Sequence, residues 1–317
     1  MVSLRTTLRD LENHNRYLSQ FHASQQSVYF EKLISQAFAH ILYLPFFTID
    51  NDDPKTLYRV IWQGTINPIF KSPPQKPDAI AYCYDFCITI EATLKTGANQ
   101  WSQEFAQSIR HCEDFCNQNQ IQQKDAFAVM VCTDIYRDTY QSIRSTPGQE
   151  YTLIPIRVLE LSKILRTSAL AFTIRHIELR RLFHQLSDCI KSSCSLGDYL
   201  KSADELIMKW QISVLNSEKS VFIGLKSYEA MRRIGRNAVG VSEILQRLQK
   251  HPNVAQYLNI IGTKLTVAEI ENDLLKQSLA RSAGKTITDN ETLFEAVPCS
   301  DFKGRGLRFI EAVARIR

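Results

Sequence analysis

The sequence predicts an α/β fold, with a mixed sheet flanked by helices in the N-terminal half and a mostly helical C-terminal half. Larger and smaller residues alternate over residues 80–90, a period of two that predicts a β-hairpin bending near Tyr84. A near-continuous apolar run over residues 126–132 is typical of a strand buried on both faces. Apolar residues recur at helical spacing over residues 30–41, and this stripe predicts a core-facing helix.

The elements of the N-terminal half are expected in the order helix, hairpin, helix, strand, helix, strand, helix, which describes an α/β core. Ser27 is placed to cap the leading helix. Residues 57–62 form a strand or a short connection, and a polar, Pro-rich run then ends at Pro77. The later elements are a helix over 101–117, the apolar strand with Asp134, Arg137 and Asp138 in the loop after it, a short strand over 151–156, and a helix that begins at 158.

The C-terminal half is expected to be built from helices. A long amphipathic helix is predicted over residues 168–190, residues 195–198 break it, and a further helix follows over residues 203–215. From Val241 the helices are short and joined by tight turns, and a capping box at Thr266 opens the last of them. Such helices fit a helix-turn-helix or winged-helix module, in which the helix from Thr266 is the recognition candidate.

Composition is that of an ordinary globular protein, but the charge is unevenly distributed. Of the 317 residues, 44% are hydrophobic and 22% are charged, and no long apolar window predicts a membrane span. The first sixteen residues carry charges without an apolar core, so we expect no secretory signal and a cytoplasmic protein with reduced cysteines.

The net charge is +5; residues 21–165 hold 12 Lys and Arg against 15 Asp and Glu, whereas residues 166–317 hold 23 against 16. An acidic front and a basic back fit a protein that cuts DNA with one part and binds DNA with the other. A surplus of this size also occurs in proteins that never bind nucleic acid.

Two carboxylates are the main candidates for chemistry. Asp78 follows Lys76 and Pro77, and Glu91 lies thirteen residues later at the end of the apolar run. The two strands of the hairpin would bring them side by side, where they repel each other unless a divalent cation lies between them, and such oxygen ligands suit Mg²⁺. The alternative is a Pro-Asp turn before an ordinary hairpin whose last residue is acidic. Glu31 borders the leading helix's apolar stripe, a costly position without a partner or a metal, unless it simply flanks a surface helix.

Five short motifs occur in order over residues 21–165. They are Phe30-Glu31-Lys32-Leu33, Lys76-Pro77-Asp78, Glu91-Ala92-Thr93-Leu94, Val131 to Thr139, and Leu153-Ile154-Pro155-Ile156. This ordered set resembles the cleavage domain of type IIS restriction endonucleases, PD-(D/E)xK nucleases of the AlwI-like and FokI-like branch. The resemblance implies a restriction-endonuclease-like core in which Asp78 and Glu91 bind Mg²⁺, which activates water against a DNA phosphodiester. It also implies that Glu31 holds the leading helix near the site, through a water or a second ion.

The sequence departs from the family's pattern two residues after Glu91, where a Lys is usual and Thr93 stands. Side chains alternate along a strand, so Glu91, Thr93 and Lys95 share a face, and Lys95 could reach the scissile phosphate from one step further on. The alternatives are that Lys95 is a solvated residue at a strand end and that Thr93 itself positions the water. Thr93 and Lys95 are therefore catalytic candidates between which the sequence does not decide.

Basic clusters in the C-terminal half are the candidates for DNA contacts. They are Arg232, Arg233 and Arg236; Arg281 and Lys285; and Lys303, Arg305 and Arg308. Arginine and lysine in such clusters contact phosphates and so position a protein on DNA. The alternative is a helical scaffold or dimerisation domain with solvated charges.

Three segments are expected: a helical arm over residues 1–20, a nuclease-like catalytic domain over residues 21–165, and a helical DNA-binding or scaffold domain over residues 166–317. The resemblance implies a Mg²⁺-dependent endonuclease of type IIS restriction character that acts on double-stranded DNA. A homodimer or a partner subunit would serve double-strand cutting. The alternative, which the missing lysine keeps open, is a catalytically inactive, nuclease-like DNA-binding or scaffold protein.

Other signatures are weaker or absent. Cysteines spaced C-x₃-C at 83/87 and at 112/116 suggest zinc, but their apolar neighbours suit buried free thiols better. No P-loop sequence and no G-x-S-x-G elbow occurs, which argues against a P-loop nucleotidase and against the usual serine hydrolase.

Overall fold

A computed structural model of the chain describes residues 2–66, 69–70, 73, 75–145, 153–171, 176–285 and 292–296. Its N-terminal part alternates helices with strands. The helices are α1 (Leu4–Glu12), α2 (His14–Leu18), α3 (Gln26–Leu42), α4 (Ala106–Asn119), α5 (Arg137–Ser145) and α6 (Val158–Leu170). The strands are β1 (Phe46–Thr48), β2 (Arg59–Trp62), β3 (Thr65–Ile66), β4 (Ile69–Phe70), β5 (Ala79–Tyr82), β6 (Cys87–Thr93), β7 (Ala126–Cys132) and β8 (Leu153–Arg157).

Six of these strands form one mixed sheet in the order β1-β2-β5-β6-β7-β8. Strand β5 runs antiparallel to both of its neighbours, whereas β6, β7 and β8 run parallel. The predicted hairpin is confirmed as β5 and β6, because Tyr82 pairs with Cys87 beside the turn and Ala79 pairs with Ile90 at the open end. The hairpin supplies the two central strands, so its open end lies in the middle of the sheet.

Helix α3 packs on β2, β5 and β6 with its predicted apolar stripe. Phe30, Ile34, Ala37 and Phe38 on that stripe are at most 1% exposed. The helix ends at Tyr43, whose left-handed backbone (φ 54°) terminates the hydrogen-bond ladder. Helix α4 packs on β6 and β7. The two helices therefore both contact β6, the strand that carries Glu91.

The described residues of the C-terminal part form helices and one small sheet. Its helices are α7 (His176–Ser192), α8 (Leu196–Ile234), α9 (Val241–Gln249), α10 (Pro252–Ile261) and α11 (Val267–Lys276). Its strands are β9 (Val239–Gly240), β10 (Ala280–Lys285) and β11 (Thr292–Ala296), paired antiparallel in the order β10-β11-β9. Helices followed by a β-hairpin that pairs with the strand before them form an arrangement of the winged-helix type. The predicted fold class is thus confirmed.

The chain separates into two compact units. One comprises Met1–Ala169 and Ile174–Trp210, and the other comprises Leu170–Thr173 and Gln211–Arg317. The long helix α8 contributes residues to both, because the division falls within it. The functional boundary at residue 166, between a cutting and a DNA-binding part, stays a prediction. Within the part of the chain that the structure describes, none of the helices combines the length and the apolarity that a membrane span requires.

Two helical regions differ from the expectation. Arg137 and Asp138, expected in a loop, begin α5, whose buried residues Thr139, Tyr140 and Ile143 are too few and too polar to show a clear stripe. Of the helix expected over residues 168–190, residues 168–170 end α6 and residues 176–190 form most of α7 (His176–Ser192).

The predicted break at residues 195–198 is the start of α8. The Ser195 hydroxyl accepts the Asp198 backbone N–H at 3.1 Å, so Ser195 caps a new helix. That helix then runs 39 residues without interruption, well beyond the predicted 203–215. Gly224 lies within it at a close approach, because an added Cβ would stand 3.2 Å from the Asp273 carbonyl oxygen. Glycine there lets α8 and the end of α11 approach closely.

Candidate active site

Asp78 and Glu91 face each other across the open end of the central hairpin. The register that pairs Ala79 with Ile90 places position 78 opposite position 91. The Asp78 carboxylate accepts the Ala92 backbone N–H at 2.8 Å, and the Asp78 carbonyl accepts the Gln63 backbone N–H at 2.8 Å. Backbone groups of both neighbouring strands therefore hold Asp78 beside Glu91.

Both carboxylates line a cavity of about 510 Å³. Glu31, from α3, lines the same cavity and is 5% exposed, as is Glu91. Lys76, Thr93, Lys95 and Glu104 also line it. The structure thus brings together all five residues that the sequence singled out as catalytic candidates: Glu31, Asp78, Glu91, Thr93 and Lys95.

The cavity is electrostatically strained by its carboxylates. Burial raises the pKa of Asp78 well above its usual range, and repulsion from Glu91 and Glu31 raises it further, against a smaller lowering by the Ala92 N–H. Burial also raises the pKa of Glu91, with repulsion from Glu104 and Glu31 adding to it. Without a cation, these side chains favour the protonated form.

His111, from α4, is the direct partner of Glu91. Its Nδ1 lies 2.7 Å from Glu91 Oε1, and the two side chains are 1% and 7% exposed. A buried imidazole at this distance fixes the orientation of the carboxylate. His111 also lines a second, neighbouring cavity of about 300 Å³, together with Lys76, Gln63 and Gln118.

Lys95 and Thr93 both lie at the site, but each has a defined partner. Lys95 Nζ lies 2.5 Å from Oε1 of Glu104, and the Lys95 side chain is 45% exposed. The Thr93 hydroxyl accepts the Lys95 backbone N–H at 3.0 Å. Lys95 therefore places a positively charged ammonium group at the cavity, where it is paired with the Glu104 carboxylate.

Gln100 holds the segment after β6 in place. This fully buried residue begins a π-helical turn, Gln100–Phe105, ahead of α4. Its amide group donates to the Lys95 carbonyl at 3.1 Å and the Asp134 carbonyl at 2.8 Å, and its oxygen accepts the Tyr136 backbone N–H at 2.7 Å. These bonds tie the loop carrying Lys95 to the loop after β7.

The carboxylates fit a Mg²⁺ ion. Three acidic side chains that destabilise one another as anions would all be stabilised by a divalent cation. Among the described residues, no three His, Cys, Asp or Glu side chains are arranged to enclose one ion. Mg²⁺ is commonly held by one or two carboxylates, with waters and phosphate oxygens completing its coordination. Asp78 and Glu91 therefore present the oxygen donors that an open magnesium site would use.

The cysteines that the structure describes belong to no cluster that could hold a metal ion. The thiols of Cys83, Cys112 and Cys116 are buried and form no disulfide, and Cys87 is partly buried. Burial raises the pKa of the Cys87 thiol to about 11. Protonated thiols in apolar surroundings behave as small hydrophobic groups.

The predicted DNA contacts that are described all lie in the second compact unit. Arg232 and Arg233 are in the last turn of α8, and Arg236 follows that helix. Arg281 and Lys285 belong to strand β10, not to a helix. Lys303, Arg305 and Arg308 lie outside the described residues.

Sequence reasoning missed the contribution of α4. Glu104, Gln107 and His111 all line the cavity, from the π-helical turn and the helix that follows. Their spacing of three and four residues puts polar side chains on one face of a helix, opposite its apolar stripe. That polar stripe was the available signal.

The chain is similar to one described protein family and to a solved structure. The family described as AlwI restriction endonuclease matches residues 5–159. Among solved structures, the small subunit of the heterodimeric restriction endonuclease R.BspD6I matches with 16% identity and a TM-score of 0.47, over 66% of this chain and 99% of that chain. No curated protein matches. The resemblance predicted from the sequence is confirmed by the match of residues 5–159 to the AlwI restriction endonuclease family model.

Proposed function

We propose that this protein is a Mg²⁺-dependent DNA endonuclease of type IIS restriction character, with a PD-(D/E)xK site that hydrolyses DNA phosphodiester bonds. The observation that carries the proposal is the pairing of Asp78 and Glu91 at the open end of the central hairpin. Two buried carboxylates with raised pKa in one cavity are the arrangement that a divalent cation would stabilise. The family match of residues 5–159 supports the same reaction.

Asp78 and Glu91 would hold the ion. When bound, Mg²⁺ supplies Lewis-acid polarisation of a phosphate oxygen and lowers the pKa of the attacking water. The Ala92 N–H keeps the Asp78 carboxylate in place, and His111 keeps the Glu91 carboxylate in place. Glu31 lines the same cavity and would hold α3 near the site through a water or a second ion.

The remaining polar groups would act on the DNA phosphate. Lys95 carries a candidate ammonium group at the cavity, and the Glu104 carboxylate restrains it. Thr93 presents a hydroxyl one strand step from Glu91 on the same face. Lys95 would stabilise charge on the phosphate, or Thr93 would position the water; the two roles are separable by mutation.

DNA binding would belong to the C-terminal part, residues 166–317, because the net positive charge is concentrated there. The arginines at the end of α8 would contact phosphates. One such site cuts one strand, so cutting both strands would require a second copy of the chain or a partner subunit.

A second function is favoured by one observation. Lys95 lies in the loop that follows β6, and its ammonium group is paired with the Glu104 carboxylate. A cation neutralised in this way contributes less to charge stabilisation, and the chain could then be a nuclease-like DNA-binding or scaffold protein that does not cut.

A plasmid assay separates the two functions. Wild-type protein should convert supercoiled plasmid to nicked or linear DNA in Mg²⁺, and EDTA should stop the conversion. Asp78→Ala and Glu91→Ala should both abolish it, because each removes a ligand. Asp188→Ala, at an exposed aspartate on α7, is the matched control and should cut like wild type. Wild-type protein that leaves all plasmid supercoiled in Mg²⁺ would establish the scaffold function instead.

A further inference from the structure

We propose that α10, and not α11, is the helix that enters a groove of DNA and reads base edges. The inference rests on the proposed function only in that the chain binds DNA. It replaces the expectation that the helix opened by Thr266 is the recognition helix.

Helix α10 is anchored by one face and presents the other. Val254, Tyr257 and Ile261 are buried, the Tyr257 ring stacks on Phe222 at 3.9 Å, and the Tyr257 hydroxyl donates to the Leu215 carbonyl. These contacts hold the helix on α8. They also determine which residues face outward, since residues three and four apart share one face of a helix and the positions between them lie on its other faces.

The outward face of α10 carries small residues and side-chain amides. Pro252, Ala255, Gln256 and Asn259 are exposed, and Asn253 is partly exposed. Asn and Gln side chains form bidentate hydrogen bonds with adenine in the major groove, and small residues let a helix approach the bases. The outward face of α9 continues this character with Gln246, Arg247, Gln249 and Lys250, all exposed.

The outward face of α11 has the opposite character. Val267 and Leu275 are 37% and 51% exposed, and Asn272 is the exposed amide between them. Two of its carboxylates contact α8: Glu269 binds Lys219 at 2.6 Å, and Asp273 accepts the Ser220 hydroxyl at 2.7 Å. Lys276 is exposed in the last turn. A partly apolar helix with more carboxylates than cations offers little to a polyanion.

The charge of the two regions follows the same division. Residues 225–264, from the end of α8 through α10, hold seven Lys and Arg against two Glu, a balance of +5. Residues 265–276, which include α11, hold one Lys against three acidic residues, a balance of −2. Neutralising phosphate charge is the main source of affinity for DNA, so the surface that includes α10 is complementary to DNA and α11 is not.

Phosphate-binding groups lie beside the start of α10. His251, directly before the helix, has Lys226, Glu229 and Arg233 of α8 as its charged neighbours. Glu229 is 9% exposed and pairs with both cations, at 2.8 Å from Lys226 and 2.5 Å from Arg233. Arg233 itself is 65% exposed, so Glu229 orients the exposed Arg233 next to α10. A helix flanked in this way by cations can be held in a groove by the phosphates on either side.

The test compares two exposed amides on two helices of the same unit. The measurement is the selection of bound sequences from a pool of short duplexes with a randomised central segment. It is made with three full-length proteins: wild type, Gln256→Ala and Asn272→Ala. EDTA is present so that no strand is cut. Gln256→Ala should change the selected base at one or two positions and weaken binding to the wild-type sequence about tenfold, the scale of one bidentate base contact. Asn272→Ala should change neither.

Charge-introducing variants give a second, sharper comparison. Gln256→Glu should abolish selection, whereas Asn272→Asp should bind like wild type, since only the first places a carboxylate against DNA. Arg247→Ala should reduce the slope of log affinity against log salt by about one, and Lys276→Ala should leave the slope unchanged. All six variants are at four exposed positions, so thermal unfolding should show folded protein throughout.

Three results would overturn the proposal. They are altered selection by Asn272→Ala, unaltered selection by Gln256→Ala and Gln256→Glu, and wild-type protein that binds no duplex at about 50 mM salt. Loss of plasmid cleavage in Mg²⁺ with selection intact would instead count against the nuclease alone, because the selection contains no metal.

Discussion

Nδ1 of His111 lies 2.7 Å from Oε1 of Glu91, and both side chains are almost completely buried. The two residues come from different elements, α4 and β6, so the contact fixes the helix against the strand as well as the carboxylate against the site. A carboxylate that is restrained before the metal arrives loses less freedom when it binds. His111 is therefore a positioning residue for Glu91.

Replacing His111 should weaken metal use more than it weakens the fold. We expect His111→Ala to raise the Mg²⁺ concentration for half-maximal cleavage by about 10- to 100-fold, the usual effect of losing an outer-shell partner. His111→Gln keeps an amide donor and should recover part of the loss. The measurement is the cleavage rate as a function of Mg²⁺, with His184→Ala, at an exposed histidine of α7, as the control. An unchanged half-saturation in His111→Ala would contradict the positioning role.

The carboxylates should make the metal-free protein less stable as pH rises. A carboxyl group whose pKa is raised in the folded state binds more protons folded than unfolded between its ordinary pKa of about 4 and the raised value, so stability falls as pH rises through that window. Asp78 and Glu91 both have raised pKa values. Asp78→Asn and Glu91→Gln should therefore raise the Tm of the EDTA-treated protein at pH 8 by at least about 2 °C and flatten its decline with pH.

Asp188→Asn, the surface control, should leave both the Tm and its pH dependence as in wild type. The prediction would be contradicted if the Tm of metal-free wild-type protein rose from pH 5 to pH 8 as steeply as the Tm of the two variants. These carboxyl groups would then not be destabilising.

Single-turnover kinetics should decide between Lys95 and Thr93. If Lys95 stabilises the phosphate charge, Lys95→Ala should slow cleavage about 10²-fold or more, the scale of one preorganised electrostatic contact, and Thr93→Ala should be mild. If Thr93 positions the water, the two effects should be reversed. Glu104→Gln adds a direct test of the ion pair, because it releases the Lys95 ammonium group and should accelerate cleavage only in the first case.

Thr93→Lys serves as the control for the family's usual pattern. It should be neutral or harmful if Lys95 already supplies the cation, since two ammonium groups would then crowd one phosphate. Near wild-type rates in both alanine variants would exclude both side chains and leave Lys76, which also lines the cavity, as the next candidate.

The core of the site was predictable because it depends on local periodicity. The alternation over residues 80–90 fixes a hairpin, and a hairpin fixes which residues are opposite each other. The position of Asp78 opposite Glu91 follows from that register. The place of Glu31 beside the core was predictable because Glu31 borders an apolar stripe.

Long-range pairings were not predictable in the same way. No local pattern indicates that His111 reaches Glu91 twenty residues earlier in the chain, or that Gln100 joins two loops, since both depend on how α4 packs on the sheet. In the C-terminal part, the capping box at Thr266 gave the start of α11 correctly. The exposed face of α11 could not be foreseen, because the contacts with Lys219 and Ser220 of α8 decide which of its polar groups point inward.

Mg²⁺ should stabilise the protein through Asp78 and Glu91 even when no DNA is present. A ligand that binds only the folded state stabilises it by about 2.7 kcal/mol at a hundred times its dissociation constant, and the negative cavity should provide such binding. The Tm of wild-type protein at pH 8 should therefore rise with added MgCl₂ above an equal ionic strength of NaCl. Asp78→Asn should lose most of this rise and the Asp78→Asn, Glu91→Gln double variant all of it, while Asp188→Asn keeps it. The measurement involves no strand cutting, so it tests the metal site separately from the reaction. A Mg²⁺-dependent rise of equal size in the double variant would show that the ion binds elsewhere on the protein.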